Sequence, residues 1–156
     1  MKPENFSYDD FQSLIDFEKK VFPGEGWDME YYKEALSGSP SIIKVIRENG
    51  QIVGYFYDAL YQIEFPDGEK SLCGEVASIA VDEKHRGSGL AKELLKEAVL
   101  ELEKMDAPRI VIFTKTNNYA MQGLARKIGF EVTGYWQNFY GSDHAFLVEL
   151  KKEVKE

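Results

Sequence analysis

Residues 76–91 constrain the fold of this chain more than any other stretch. Val76-Ala77-Ser78-Ile79-Ala80-Val81 is an apolar, strand-like run, Arg86-Gly87-Ser88-Gly89-Leu90-Ala91 is a basic, glycine-rich turn, and Leu90 to Met105 is amphipathic at the helical period. A strand, a tight turn and a helix start, in that order, can hold a phosphate. Small residues let the backbone close around the anion, and the first N–H groups of the helix point at it with the helix dipole behind them. Two glycines at a helix start also describe an ordinary tight turn. The adjoining Lys84-His85-Arg86 favours the anion: it is a basic island in a chain with 19 basic and 27 acidic residues.

With 156 residues there is room for a single domain, 1–156, and not for two ordinary ones. No apolar run approaches the roughly 18 residues that span a bilayer, and Met1-Lys2-Pro3-Glu4-Asn5 lacks the apolar core of a signal peptide, so a cytoplasmic location is expected. Cys73 is the only cysteine, which excludes an internal disulfide and a cysteine metal cage. The net charge of −8 argues against DNA or RNA, whose binding rests on phosphate neutralisation, and mildly favours cationic substrates. No metal, nucleic acid or membrane partner is expected, and the chain is read as a monomer or a homodimer.

Along the chain, Ser7 with Asp10 three residues on caps a first helix striped by Phe11, Leu14, Ile15 and Phe17. The turn-rich Phe22-Pro23-Gly24-Glu25-Gly26 ends it, and Asp28 caps a second short helix through Leu36. Ser41 to Arg47 and Gln51 to Tyr61 read as strands joined at Asn49-Gly50, a two-residue hairpin signal. Pro66-Asp67-Gly68 turns the chain into a long strand from Lys70 to Val81. The helix from Leu90 carries Leu90, Leu94, Leu95, Ala98, Val99 and Leu102 on one face, with Lys92, Glu93, Lys96, Glu97 and Glu101 opposite. Arg109 to Phe113 reads as a buried strand, Asn117-Asn118 caps a helix through Ile128 that Gly129 stops, and Glu131 to Tyr140 and Ala145 to Leu150 are final strands. The order predicts a mixed α/β sheet with at least one parallel crossover.

With these elements in place the chain resembles, over nearly its whole length, the GNAT family of acyl-CoA-dependent N-acyltransferases. Arg86-Gly87-Ser88-Gly89-Leu90-Ala91 matches the family's Gln/Arg-x-x-Gly-x-Gly/Ala motif in full, between the strand and helix the family requires. The stretch from Asn118 to Phe130 is similar to its Asn-x-x-Ala-x-x-Leu-Tyr-x-x-x-Gly-Phe helix. Phe22-Pro23 with Trp27, and Phe139-Tyr140-Gly141-Ser142-Asp143-His144-Ala145-Phe146, resemble the branch that acetylates protein N-termini, including ribosomal-protein acetyltransferases. The resemblance implies a mixed, mostly antiparallel central sheet of about six to seven strands, splayed at its centre and flanked by about four helices. It also implies acetyl-CoA as donor and no metal. The pyrophosphate would sit on the N–H groups from Gly87 to Ala91, through Ser88, Gly89 and Leu90, with Arg86 adding charge. The pantetheine arm would pair with the main chain at Ile79, Ala80 and Val81, and Asn118 would contact it.

Acyl transfer to an amine needs the neutral amine, an aligned thioester carbonyl and a route for thiolate to leave. Alignment supplies much of the rate, since effective molarities reach about 10⁵–10⁸ M. A backbone N–H on the splayed strand, that of Val81, is the candidate oxyanion donor. Glu75 is the candidate base: some archaeal-type relatives place a histidine at the matching position, although an ordinary solvent-facing strand glutamate looks the same in sequence. His85 reads as a phosphate-side contact and His144 as a surface residue. Phe22, Trp27 and Tyr140 are candidates for the acceptor side, where Glu25, Asp28 and Asp143 could also hold a cation.

Two departures from the family matter. The N-terminal branch often carries a glutamate where Phe113 stands, and the family's general-acid tyrosine falls at Ala125. The second is tolerable, because a thiol of pKa near 8.5 leaves as thiolate about 1.5 units above neutrality, so an acid supplies about 2 kcal/mol at most. Tyr140 or Tyr119 would have to serve instead. A site poor in bases suits an α-amine, about a tenth neutral at pH 7, better than a lysine-like amine that is neutral in about one molecule in 2,500. The leading expectation is acetylation of a protein or peptide N-terminus. A small amine (a polyamine, amino acid or aminoglycoside) is the second reading, and a non-catalytic acyl-CoA sensor the third. A nucleotide-binding module is weaker, because the turn lacks both the Gly-Lys-Ser/Thr of a P-loop and the three-glycine spacing of a dinucleotide site.

Overall fold

In the computed structural model, which describes residues 2–23, 38–140 and 143–150 (without the side chains of Tyr8 and Tyr140), the alternating apolar runs become seven strands. They are β1 (Glu4–Asn5), β2 (Ser41–Glu48), β3 (Gln51–Glu64), β4 (Lys70–Val81), β5 (Ile110–Lys115), β6 (Phe130–Tyr140) and β7 (Asp143–Leu150). They form one sheet in the order β1-β2-β3-β4-β5-β7-β6. Each pairing is antiparallel except β4 with β5. The described residues include three α-helices, α1 (Phe11–Val21), α2 (Leu90–Lys104) and α3 (Tyr119–Ile128). The helix expected from Asp28 to Leu36 lies outside the described residues. No helix of the described residues is long and apolar enough to cross a membrane.

Local chemistry accounts for the boundaries. Ser7 donates from both its N–H and its hydroxyl to Asp10 Oδ2, at 2.9 and 3.1 Å, so a 3₁₀ turn over Tyr8–Asp10 leads into α1. Asn118 Oδ1 accepts from the Met121 N–H at 3.2 Å and starts α3, which ends at Gly129. β3 runs three residues past Tyr61, to Glu64, because its hairpin with β4 closes only at the Phe65–Glu69 turn. β1, two residues long, has no periodicity to read and forms by pairing with Lys44 and Val45.

α2 and α3 cover one face of the sheet. Leu94, Leu95, Ala98 and Leu102 are fully buried there against Ile46, Phe56, Val76 and Ile110, each large side chain contributing about 1.5–3 kcal/mol. The close approach of α2 depends on Gly74, where a Cβ would stand 2.8 Å from Ala107 Cβ and 2.9 Å from Leu102 Cδ2. The opposite face carries two separate apolar clusters. α1 packs Phe11, Leu14 and Phe17 on Val45, Tyr55 and Tyr57. Further along, Ile63, Cys73, Val111, Phe113 and Leu147 gather with Phe65, Trp136 and Phe139.

Two irregularities open the middle of the sheet. The β4–β5 ladder consists of Gly74↔Ile110 and Glu75↔Val111, beyond which the strands part. The β3–β4 register then steps from Asp58↔Val76 to Tyr57↔Ser78, leaving Ala77 as an extra residue in β4. These are the splayed central strands that the family resemblance implied.

Candidate active site

The turn after β4 is built to expose amides. Asp82 caps a 3₁₀ turn over Glu83–His85 by accepting from the Lys84 N–H at 3.0 Å and from Lys20 Nζ at 2.9 Å. Those donors, the Lys84 amide first, hold its carboxyl below the usual range. The Ser88 hydroxyl donates to the His85 carbonyl. Gly87 and Gly89 then adopt φ of +82° and +88°, left-handed conformations that side chains with a Cβ rarely enter. The first helical bond is Glu93 N–H to Gly89 O at 3.1 Å, so the N–H groups of Leu90, Ala91 and Lys92 have no helical acceptor. Leu90 itself is buried in the core and offers only its backbone.

These amides open onto a cleft of about 680 Å³. Its walls are Ile79–Val81 of β4, the turn residues Arg86, Gly87 and Gly89, the start of α3 from Asn118 to Met121, and the end of α1 at Val21 and Phe22. Arg86, Lys92 and Lys127 line it, and the described lining residues include no carboxylate. In a chain of −8 net charge, that is a local reversal of sign. The β4 backbone also presents donors. Gly74 N–H reaches Arg109 O, at the entry to β5, at 2.7 Å, whereas Asp82 N–H reaches Val53 O of β3 at 2.8 Å. Strand amides alternate in direction, and the extra residue at Ala77 shifts that alternation by one. Ile79 and Val81 therefore aim their N–H groups away from β3, into the gap where β5 has left.

Glu75 stands at the fork itself, in the last paired position before β4 and β5 separate. It is half-buried between the two apolar clusters, and Tyr61 OH donates to its Oε1 at 2.6 Å. Burial pushes its carboxyl above the usual range, and the Tyr61 hydrogen bond opposes that in part. A carboxylate so placed is a better proton acceptor than one in open solvent.

The other sequence candidates fall as follows. Phe22 lies on the wall of the cleft, and its N–H closes α1 on Glu18 O at 2.7 Å. Asn118 lines the cleft while capping α3, which leaves its amide nitrogen available as a donor. Trp27, Glu25, Asp28 and the Tyr140 side chain lie outside the described residues. Ala125 is 1% exposed within the main core, so that position offers the site nothing. Phe113 faces the same side of the sheet as Glu75 and stacks on Phe139 with centroids 4.5 Å apart and planes 13° from parallel. His85 lines the cleft and bonds Glu48, and His144 Nδ1 accepts from the Asn138 N–H at 2.9 Å in the β6–β7 hairpin. Tyr119, 75% exposed at the head of α3, is the described tyrosine that lines the cleft.

Sequence reasoning missed Lys92, Lys127 and Tyr61. The lysines looked like ordinary solvent-facing helix residues, and only the convergence of α2 and α3 brings them to one cleft. Tyr61 carried a usable signal. Counting back from the Pro66-Asp67-Gly68 turn pairs Tyr61 with Cys73 and Ala59 with Glu75, which makes Tyr61 and Glu75 diagonal neighbours on one face.

Comparison with known proteins agrees with this geometry. Residues 10–130 match the acetyltransferase (GNAT) family. The chain is 26% identical over 135 residues to the N-terminal acetyltransferase A complex catalytic subunit NAA10 of Arabidopsis thaliana, covering 84% of this chain and 67% of that one. It is 28% identical over 138 residues to the N-terminal acetyltransferase complex ARD1 subunit homolog of Dictyostelium discoideum, covering 85% of this chain and 65% of that protein. Its fold superposes on the ribosomal-protein-S18-alanine N-acetyltransferase of Escherichia coli with a TM-score of 0.77 at 18% identity, covering 99% and 98% of the two chains. The chain belongs to the GNAT family of N-acetyltransferases. Acetyl-CoA is the acyl donor of that family, and the exposed amides, basic cleft and open strand fit its diphosphate and pantetheine arm.

Proposed function

We propose that this acetyltransferase transfers the acetyl group of acetyl-CoA to the α-amino group of a protein or peptide N-terminus, in a ternary complex, with Glu75 as general base. The observation that carries the reading is Glu75 at the β4–β5 fork, with the Ile79 amide four residues further along β4; Val81, six residues along, is too far from Glu75 for both to meet one carbonyl, and its amide is left to the pantetheine arm. The amine nitrogen attacks the thioester carbonyl, the developing oxyanion is met by a β4 backbone N–H that faces the gap, that of Ile79 being nearer the fork than that of Val81, and Glu75 takes the nitrogen's proton directly or through water. The C–S bond then breaks, and CoA leaves as a thiolate that takes up a proton, which gives an N-acetyl amine and free CoA.

The α-amine is favoured because, among the described residues, the fork is poor in bases. Phe113 is packed into an aromatic stack where the N-terminal branch often has a second carboxylate, so the site suits an amine of pKa about 8 better than one near 10.4. The names of the two curated relatives, both N-terminal acetyltransferase subunits, point the same way. A cytoplasmic location goes with this reading and is checked by cell fractionation.

The test is thiol release from acetyl-CoA with a panel of free-N-terminal peptides, polyamines, amino acids and aminoglycosides. Peptides should give the highest kcat/KM, with a profile that levels near pH 8. A profile still rising past pH 9, or a polyamine preferred, replaces the α-amine with a small or more basic acceptor. Tight binding of acetyl-CoA without turnover on any amine makes the chain a sensor. Glu75→Gln should lower kcat by at least about tenfold and leave acetyl-CoA affinity unchanged. Unaltered turnover removes Glu75 as base.

A further inference from the structure

We propose that Tyr61 is a positioning residue for acetyl transfer, its hydroxyl pinning Glu75 Oε1 at the strand fork and leaving Oε2 to receive the proton of the attacking amine. The proposal rests on the reading of Glu75 as base and adds to it a residue that nothing else in the site requires.

The geometry is set by the β3–β4 hairpin. Ala59 faces Glu75 and Tyr61 faces Cys73, so the Tyr61 ring lies diagonally beside Glu75 on the face opposite α2. Its O–H···O distance of 2.6 Å is that of a hydrogen bond to a charged oxygen. Along β3 Tyr61 stands between Ala59, part of the α1 cluster, and Ile63, part of the aromatic one. The ring is 36% exposed, and its hydroxyl meets Glu75. A glutamate side chain has several rotatable bonds, and holding one oxygen removes most of that freedom before the amine arrives.

The protonation balance follows from the surroundings. Around Glu75, β5 and β7 present Val111, Phe113 and Leu147, all apolar. Among the described residues, the titratable groups whose charges bear on this part of the sheet are Cys73 two residues back on β4, Arg109 and Glu149 paired to one another beside Cys73, and Asp58, buried in β3. Burial raises Glu75 and Tyr61 lowers it, so Tyr61 keeps the carboxylate charged to a lower pH than burial alone would allow. In the transfer step the amine N–H bond breaks, its proton goes to Oε2, and Tyr61 keeps its own proton throughout.

The test compares kcat/KM against pH for the wild type, Glu75→Gln, Tyr61→Phe and Tyr61→Gln, with whichever amine proves active. Tyr61→Phe should move the acidic limb up by about half to one unit, a loss of about three- to tenfold on that limb, with acetyl-CoA affinity by calorimetry unchanged. Tyr61→Gln, which keeps a donor, should fall between. A carbon NMR titration of the Glu75 carboxyl in the absence of substrates should show the same upward displacement in Tyr61→Phe. A Tyr61→Phe profile and titration superposing on the wild type, while Glu75→Gln abolishes the limb, overturns the role of Tyr61 and spares Glu75. A limb that survives in Glu75→Gln overturns the base itself.

Discussion

Asp58 is the residue whose chemistry is least expected from its neighbours in sequence. It lies in β3 beside the irregularity at Ala77, it is 0% exposed, and neither carboxylate oxygen has a hydrogen-bond partner. Burial, with the charges of Glu101 and Glu75 adding to it, pushes its pKa up to about 9. In the folded protein the group is therefore protonated at neutral pH, whereas in the unfolded chain it ionises above about pH 4. Between those values the unfolded state binds fewer protons than the folded one, so stability is full below about pH 4 and drains away as pH rises toward 9. Asp58→Asn, of similar shape but without a titratable proton, should flatten that decline and raise stability at pH 8 by at least about 1 kcal/mol. Urea midpoints at pH 5 and pH 8 decide it. If the wild type loses no more stability than the variant between the two, Asp58 is not the buried acid described. The same residue shows what a sequence conceals: nothing in Tyr57-Asp58-Ala59 distinguishes a solvent-facing aspartate from one sealed under α2.

At the scale of elements, the anion turn makes a sharper demand than the helices around it. A Cβ at Gly89 would meet nothing within 4 Å, so a substitution there acts through φ of +88° alone. A β-branched residue in that conformation costs about 1–2 kcal/mol or forces the backbone out of it, and the amides of Leu90, Ala91 and Lys92 move with it. Gly89→Val should therefore weaken acetyl-CoA binding by at least about tenfold in calorimetry while shifting the melting temperature by only a few degrees. Intact binding would remove the turn as the diphosphate site, and with it the basis of the functional reading. This turn was legible in the sequence because its demands are local: two glycines, a basic residue, and a periodicity that changes from strand to helix between Val81 and Leu90. β4 was legible for the same reason, its bounds of Lys70 and Val81 being fixed by a turn on one side and Asp82 on the other. The hairpin at Asn49-Gly50 and the cap at Asn118 were equally self-contained. What was not legible depends on partners distant in sequence. β1 exists only as an edge to β2. The bulge at Ala77 appears only once β3 is paired. Ala125 reads as a missing acid until its 1% exposure shows that the position points into the core.

For the molecule as a whole, the relevant tension is between its net charge and its ligand. A chain of −8 repels the polyanionic nucleotide end of acetyl-CoA at long range, and the cleft overcomes this locally with Arg86, Lys92 and Lys127 and the dipole of α2. Lys92 leans in from the first turn of α2 and Lys127 from the last turn of α3, so the basic rim exists only because two helices on one face of the sheet converge. Such interactions are screened over about 10 Å at 0.1 M salt, and a partly open cleft feels that screening. Acetyl-CoA affinity should accordingly fall as ionic strength rises from about 0.05 to 0.5 M, over the range where screening shortens from beyond the width of the rim to well within it. Replacing both lysines, Lys92→Gln with Lys127→Gln, should weaken binding most at low salt and make the slope against log salt shallower, leaving the pH profile of turnover unchanged. Calorimetric titrations of both proteins at four salt concentrations measure it. Parallel slopes would mean that the two lysines sit beside the ligand without neutralising it, and that the backbone amides of the turn carry the anion alone.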